Sequence, residues 1–287
     1  MLGAMPIGIG VNAWVWTSPF TADSVGLLSR AKAMGFDAFT IPVEEPAEID
    51  ADVVGRAIQE SGLRVHCTGA FGPTRDLTHD DVAYRDESLA YLADTLALCQ
   101  RWGVRLLVGP GYSAVGKRRH VPPEQRKVEW ERAVVGLRRA GDLAADHGVT
   151  LAVEPLNRFE TDLLNTAEQL VRLLADVGHP AVKGHLDTFH MNIEEQDVCA
   201  AVEAVGADLV YVDASESDRG APGSGQVDWD GLRRGLEKVG YAGDCIIESF
   251  TPDCQAIAAA AAIWRPLARS QDAIAEDGLA FLRRLLG

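Results

Sequence analysis

Four acidic residues stand at the ends of four successive apolar runs in the second half of the chain. Glu154, Asp187, Asp213 and Glu248 each close a run of the kind that forms a buried strand. Carboxylates brought together at one sheet edge repel one another and hold protons at unusually high pH. A divalent cation removes this conflict, so the pattern predicts one metal site with all four as ligands. Oxygen donors favour hard ions, and we expect Mn²⁺ or Mg²⁺.

Each acid taken alone also has a purely structural interpretation, because a single acid at a strand end is commonly a helix N-cap. Other polar residues follow in the adjoining segments: Glu160 in EPLNRFE, His190 in GHLDTFHMNIEE and Arg219 in DASESDRGAPGS. Several hydrogen-bonding groups above a metal suit a polyhydroxylated ligand. His185 shares the inward-facing parity of Asp187, which leaves it as an extra ligand, a partner of a ligand, or a hydrogen-bonded core histidine.

The elements that position these residues alternate regularly between strand and helix. Long amphipathic segments such as 82–102 and 125–146 separate the apolar runs, and glycine follows several predicted helices. Eight strands are predicted, at 7–14, 36–43, 64–70, 105–110, 150–156, 182–187, 209–214 and 245–250. This α/β pattern predicts a single (β/α)₈ TIM barrel forming one domain over 1–287. A doubly wound open sheet would need a glycine-rich loop after its first strand, where the chain instead reads VNAWVWTS.

The charge and composition of the chain indicate which binding partners and which cellular location to expect. The formal net charge is −15, which disfavours nucleic acid and anionic membrane surfaces. The longest apolar runs are too short to span a bilayer, and the first ten residues lack the basic segment of a signal peptide. Five scattered cysteines without a CxxC pair favour reduced thiols, so we expect a cytoplasmic protein.

The motifs resemble those of the ketose 3-epimerases, the D-tagatose, D-allulose (D-psicose) and L-ribulose 3-epimerases of the xylose isomerase-like barrel superfamily. The resemblance rests on GHLDTFHMNIEE, on EPLNRFE followed by LLNT, and on the later ESDRG and ESF segments. It implies a Mn²⁺- or Co²⁺-type metal held by Glu, Asp, His and Glu, which correspond to Glu154, Asp187, position 213 and Glu248. It also implies substrate binding by Glu160, His190 and Arg219, and assembly as a homodimer or homotetramer.

One position departs from the family pattern. The resemblance implies histidine at 213, but the chain has Asp213, and the residue two earlier is Tyr211. Aspartate is shorter than histidine and adds a negative charge, which favours Mg²⁺, Mn²⁺ or Ca²⁺ over Co²⁺ or Zn²⁺. The shorter reach also leaves room for a water molecule between Asp213 and the metal.

The expected activity is epimerisation of a small ketose at C3 through a metal-stabilised enediolate, with Glu154 and Glu248 as acid and base. Aldose–ketose isomerisation on the same site is the nearest alternative. Another alternative is a sugar-binding barrel in which the replacement of the implied histidine by Asp213 abolished or altered catalysis. An endonuclease IV-like phosphodiesterase would need more histidine ligands and a basic face. The basic segment 117–120 leaves open whether the sugar carries a phosphate.

Overall fold

Eight parallel strands close into a barrel in the computed structural model, which describes residues 7–287 of the chain. Each strand pairs with the next, and the first pairs with the last, so the sheet has no free edge. The strands are β1 Gly8–Asn12, β2 Ala38–Val43, β3 Arg64–Gly69, β4 Leu106–Gly109, β5 Thr150–Val153, β6 Val182–Asp187, β7 Leu209–Ala214 and β8 Asp244–Ile247. The predicted (β/α)₈ barrel is confirmed.

Helices follow the strands and cover the outside of the barrel. They are α1 Gly26–Met34, α2 Ala51–Ser61, α3 Val82–Trp102, α4 Pro123–Asp146, α5 Ala167–Val177, α6 Thr188–Glu194, α7 Val198–Val205, α8 Trp229–Val239, α9 Gln255–Ala260 and α10 Gln271–Leu286. The two long helices predicted from periodicity correspond to α3 and α4. Gly35 and Gly103 end their helices with positive φ angles of 96° and 72°, which glycine adopts without a steric penalty.

Some predicted strand ends were wrong by a few residues. β1 stops at Asn12 because the Asn12 side chain accepts a hydrogen bond from the Trp14 amide, which begins a short 3₁₀ turn. β5 stops at Val153, ahead of Pro155, which has no N–H for a sheet ladder. β8 stops at Ile247. Glu154 and Glu248 therefore lie one residue beyond their strands, at the start of the loops.

Side-chain alternation sets the position of the acids. A large apolar cluster fills the space between strands and helices, and a small separate cluster includes Ala152, Tyr211 and Ile246. Each of these three residues precedes a predicted site acid by two positions, so it shares the inward face with that acid. These apolar side chains lie directly below the acids, and the acids lie at the C-terminal mouth, where barrel enzymes carry their active sites.

All five cysteines are free thiols, and four of them are buried. Within residues 7–287, none of the helices combines the length and the apolar character that crossing a membrane requires. The amino-terminal residues 1–6, on which part of the signal-peptide argument rests, lie outside the described residues.

Candidate active site

The structure brings all four predicted acids together at the mouth of the barrel. Asp187 and Asp213 are direct register partners on β6 and β7, and Glu154 and Glu248 follow β5 and β8. Each of the four is at most 6% exposed. Carboxylates are rarely buried to this extent unless they are paired or bind a cation.

Three of these acids hold their protons unusually tightly. Burial, reinforced by the charges of the neighbouring carboxylates, raises the pKa of Glu154 well above its ordinary value. Burial and Asp187 do the same to the pKa of Asp213, while burial and Asp213 raise that of Glu248. Acids with raised pKa values that share one cleft are typical of catalytic and metal-binding sites.

Asp187 serves two purposes with its two oxygens. Oδ1 accepts a hydrogen bond of 2.8 Å from the Phe189 amide and so caps α6. Oδ2 turns toward the cleft, where it lies 2.6 Å from Nη1 of Arg219. The helix-cap interpretation is therefore confirmed for this residue, and its second oxygen remains free of the cap to face the cleft.

Arg219 lies at the centre of the cluster. Its Nη1 donates to Oδ2 of Asp187 at 2.6 Å, to Oγ of Ser215 at 2.8 Å and to Oε2 of Glu248 at 3.0 Å. Burial opposes its charge, but the carboxylates of Asp187 and Glu248 raise the pKa of Arg219 above its ordinary value. The guanidinium carbon lies 4.1 Å from the ring centroid of Phe189, within cation–π range.

The backbone of Arg219 is strained, with φ at +64°, a left-handed conformation that is uncommon for residues other than glycine. Two hydrogen bonds hold it there: the Arg219 amide donates to the Glu216 carbonyl at 2.9 Å, and Ser249 Oγ donates to the Arg219 carbonyl at 2.6 Å. Such strain persists where the surroundings fix it, commonly at functional sites.

His190 and Glu160 are both held by Asn157. Nδ1 of His190 accepts hydrogen bonds from the Asn157 backbone amide at 3.0 Å and from its side-chain Nδ2 at 2.9 Å. Nδ2 of Asn157 also donates to Oε1 of Glu160 at 2.9 Å. With Nδ1 as acceptor, the hydrogen-bond pattern assigns the ring proton to Nε2. Nε2 lies 3.5 Å from Oε1 of Glu154 and 3.6 Å from Oδ2 of Asp187.

His185 is buried directly beneath this layer, at 1% exposure. Its Nε2 lies 2.8 Å from Oδ2 of Asp213, and its Nδ1 lies 3.6 Å from Oε2 of Glu154. Neither ring nitrogen forms a hydrogen bond, and neither does Oδ1 of Asp213. The ring stacks edge-on against Tyr211 with centroids 4.8 Å apart. The expectation of a hydrogen-bonded core histidine was therefore wrong.

The donor set fits a divalent metal ion. Two overlapping groups have ligand atoms that all lie within 4.8 Å of one another: Glu154 with Asp187 and His190, and Glu154 with His185 and Asp213. The unpaired atoms of His185 and Asp213 supply a second, independent indication, because buried polar atoms without partners are costly. Carboxylate and imidazole donors together suit Mn²⁺ and related first-row ions.

Sequence reasoning missed several polar residues of the site. Asn157 was not singled out within EPLNRFE, and Ser215 was not singled out beside Arg219. Asn12, at the end of β1, donates from Nδ2 to Oε1 of Glu248 at 3.3 Å. A buried asparagine at the C-terminal end of a barrel strand was the signal available for Asn12, because such ends face the mouth.

The basic segment 117–120 is largely neutralised within the chain. Lys117 Nζ donates to Asp76 Oδ2 at 2.6 Å, and Arg119 Nη2 donates to both oxygens of Glu129 at 2.9 and 3.0 Å. These pairings favour the interpretation of 117–120 as a structural loop over that of a phosphate-binding segment.

Comparison with known proteins agrees with this geometry. The model of the xylose isomerase-like TIM barrel family matches residues 28–285. An L-ribulose 3-epimerase from Mesorhizobium japonicum is 32% identical over 96% of this chain and 92% of its own. A ketose 3-epimerase from Arthrobacter globiformis is 32% identical over 96% of this chain and 95% of its own.

The chain belongs to the ketose 3-epimerase family. Members of this family are isomerases, built on the xylose isomerase-like barrel. Among solved structures, a D-allulose 3-epimerase from Methylomonas sp. in complex with D-allulose superposes with a TM-score of 0.91. It is 29% identical over 97% of each chain. The family resemblance carried by the sequence motifs is thereby confirmed.

Proposed function

We propose that this ketose 3-epimerase family member epimerises a small, unphosphorylated ketose at C3, with one divalent metal at the barrel mouth. The observation that carries the proposal is the meeting of four buried carboxylates with the donors Arg219 and His190. The relatives named for L-ribulose and ketose epimerisation, and the relative crystallised with D-allulose, support a ketose as substrate.

Glu154, Asp187, Asp213 and Glu248 would hold the metal, with Mn²⁺ or Mg²⁺ expected. When bound, the ion supplies positive charge that stabilises an enediolate and lowers the energy needed to remove a proton beside a carbonyl. Glu154 and Glu248 are also the carboxyl groups expected to transfer the proton, because carboxyl groups held beside a reacting carbon act as general acids and bases.

Glu154 and Glu248 reach the cleft from strands that lie three places apart around the barrel. In the proposed reaction one carboxylate removes the proton from C3 on one face of the substrate. The other carboxylic acid delivers a proton to C3 on the opposite face, which inverts the carbon. The two residues exchange roles when the reaction runs backwards.

His190 and Arg219 would orient the substrate. Nη2 of Arg219 lies 3.3 Å from Nε2 of His190, so the two side chains border the same part of the cleft. Burial lowers the pKa of His190 to about 3, which keeps the ring neutral. A sugar oxygen accepts from both groups, while Glu160, held by Asn157, accepts from a hydroxyl.

The test is product and isotope analysis after metal replacement. The purified protein is stripped of metal, then supplied with Mn²⁺, Mg²⁺, Co²⁺ or Ca²⁺ and incubated in D₂O with D-fructose, D-tagatose or L-ribulose. We expect the C3 epimer to form with Mn²⁺ or Mg²⁺, with deuterium at C3 by NMR. Aldose product or deuterium at C1 or C2 would support aldose–ketose isomerisation instead. Ketose binding without turnover would support a binding protein.

Three further expectations remain predictions: one domain over the whole chain, a homodimer or homotetramer, and a cytoplasmic location. Sedimentation of the purified protein measures the second directly.

A further inference from the structure

We propose that His185, from β6, supplies a nitrogen ligand to the metal beside Asp213; this inference rests on the metal site of the proposed function. The position that the family resemblance implies for the histidine ligand is occupied by Asp213, on β7. His185 lies on the adjacent strand, one layer below the register pair Asp187 and Asp213. The nitrogen donor has thus moved to the neighbouring strand.

The first argument is the proton count of the imidazole. A neutral ring has one N–H donor and one lone pair, and it cannot donate from both nitrogens. Both nitrogens of His185 nevertheless face carboxylates: Nε2 faces Asp213 Oδ2 at 2.8 Å, and Nδ1 faces Glu154 Oε2 at 3.6 Å. At most one of these two contacts can therefore be an N–H donor facing a carboxylate, and a cation bound jointly by the other nitrogen and its neighbouring carboxylate resolves the conflict.

The second argument is the geometry of the contact between His185 and Asp213. The separation of 2.8 Å is in hydrogen-bond range, yet the ring nitrogen is not aligned to donate to that oxygen. Two adjacent ligands of one ion, each about 2.1 Å from it, lie about 3 Å apart and point at the ion, not at each other. The observed separation of 2.8 Å is close to this spacing, and the lack of a hydrogen bond between the two groups agrees with shared ligation.

The third argument is the environment of the ring. Tyr211 packs edge-on against it at 4.8 Å, and the residue is 1% exposed, so the ring is held in place without help from solvent. With Nε2 assigned to the metal, Nδ1–H faces Glu154. Ligating histidines commonly direct their second N–H toward a carboxylate in this way.

The experiment is Mn²⁺ binding followed by electron spin echo spectroscopy, which detects nitrogen bonded directly to the ion. Stripped wild-type protein, H185Q, H190Q and H66Q are titrated with Mn²⁺, and free Mn²⁺ is measured by EPR. His66 is the matched control, because it is a barrel histidine that also contacts the Tyr211 ring but faces Asp244. We expect ¹⁴N coupling in wild type, H190Q and H66Q. In H185Q we expect loss of the coupling and at least about 100-fold weaker binding.

Several outcomes overturn the proposal: no nitrogen coupling in wild type, coupling that survives in H185Q, or coupling that disappears only in H190Q. Weaker binding of H185Q with no coupling in wild type would make His185 a positioning residue for Asp213. If H185Q does not fold, wild type and H190Q decide the question, since His185 and His190 are the histidines in the two candidate metal groups of the described residues.

A second variant tests the exchange between strands. The double variant H185Q/D213H returns the nitrogen to β7, and we expect it to recover the coupling and to bind Mn²⁺ within about tenfold of wild type. Failure of recovery in a folded double variant counts against the exchange. Epimerase activity is scored separately: turnover without nitrogen coupling refutes this ligand alone, whereas coupling without turnover refutes the proposed function alone.

Discussion

The two ends of β8 carry acids with opposite electrostatic behaviour. At its start, Asp244 accepts hydrogen bonds from His66 Nε2 at 2.8 Å and from Arg64 Nε at 3.1 Å. Although burial opposes it, these bonds lower the pKa of Asp244 to about 2. Just beyond its end, Glu248 has a raised pKa because of burial and Asp213, despite contact with Arg219. At the lower end of the barrel, basic side chains stabilise the charged form of Asp244. At the mouth, burial and a neighbouring carboxylate disfavour the charged form of Glu248.

The packing around the two ends of β8 differs in the same way. At the lower end, Gly8 is the register partner of Asp244, and a methyl group on Gly8 would collide with the side chains of Arg64 and Asp244. The ion pair of Arg64 and Asp244 therefore packs directly against the backbone of β1. At the mouth, the repulsion among carboxylates destabilises the fold and favours a cation, as expected where barrels carry their active sites.

The largest expected effect comes from Glu248→Gln. Removal of a proton-transfer group lowers kcat by about 10³-fold in the metal-loaded protein. The amide keeps the size of the side chain, so Tm should change by only a few degrees. Activity is measured by chromatography of the epimer, and exchange of the C3 proton by NMR in D₂O. Unchanged exchange would refute the role of Glu248.

The matched control is Asp244→Asn, at the other end of the same strand. It removes the charge paired with Arg64, and we expect a lower Tm with kcat retained in the folded protein. A comparable loss of kcat in both variants would show that the two ends of β8 are not functionally distinct.

The next effect is stabilisation by metal and its dependence on pH. The raised pKa values mean that Glu154, Asp213 and Glu248 favour the folded state when protonated. That stability is lost as pH rises through their folded pKa values, and bound Mn²⁺ restores it. Mn²⁺ at 100 times its dissociation constant should add about 2.7 kcal/mol to the free energy of unfolding.

We expect this gain, measured by thermal unfolding at a fixed Mn²⁺ concentration, to be larger at pH 8 than at pH 6, because the ligands must release protons to bind the ion. A gain that is the same at both pH values, or larger at pH 6, would contradict the assignment of these acids as ligands.

The sequence was sufficient for the barrel and for the four acids. Strand periodicity and parallel topology alone bring Glu154, Asp187, Asp213 and Glu248 to one edge. The sequence was not sufficient to predict side-chain contacts between neighbouring strands. The position of His185 between Asp213 and Glu154 depends on the stagger of β5, β6 and β7. This stagger includes a register shift between Gly184 and His185, which no periodicity reveals.

Contacts made by loop residues could not be predicted from the sequence either. Asn157 holds both His190 and Glu160 because the loop after β5 folds back on α6. The Asn12 cap and Pro155 explain why β1 and β5 end early. A prediction from strand propensity alone made both strands too long. The acids that meet at the barrel mouth were thus predictable by type and order, and the polar residues that hold the neighbouring side chains were not.

The smallest effect belongs to the lower end and runs in the opposite direction with pH. Because the folded pKa of Asp244, about 2, lies below its ordinary 3.8, its charge stabilises the fold above pH 4. This contribution disappears as pH falls through the folded pKa. After allowance for the exposure of Arg64, it is about 1–2 kcal/mol. Urea unfolding of wild type and Asp244→Asn should give this difference at pH 6, and a smaller one at pH 3.

The matching comparison at the mouth uses Glu248→Gln in the metal-free protein. Because wild-type Glu248 has a raised pKa, wild type should lose stability relative to Glu248→Gln as pH rises from 4 to 8. Because Asp244 has a lowered pKa, wild type should gain stability relative to Asp244→Asn as pH rises from 2 to 4. Two pH-independent differences would mean that packing, and not charge, distinguishes the ends of β8. Opposite slopes would show that one strand carries a stabilising acid at its start and a destabilising, metal-dependent acid at its end.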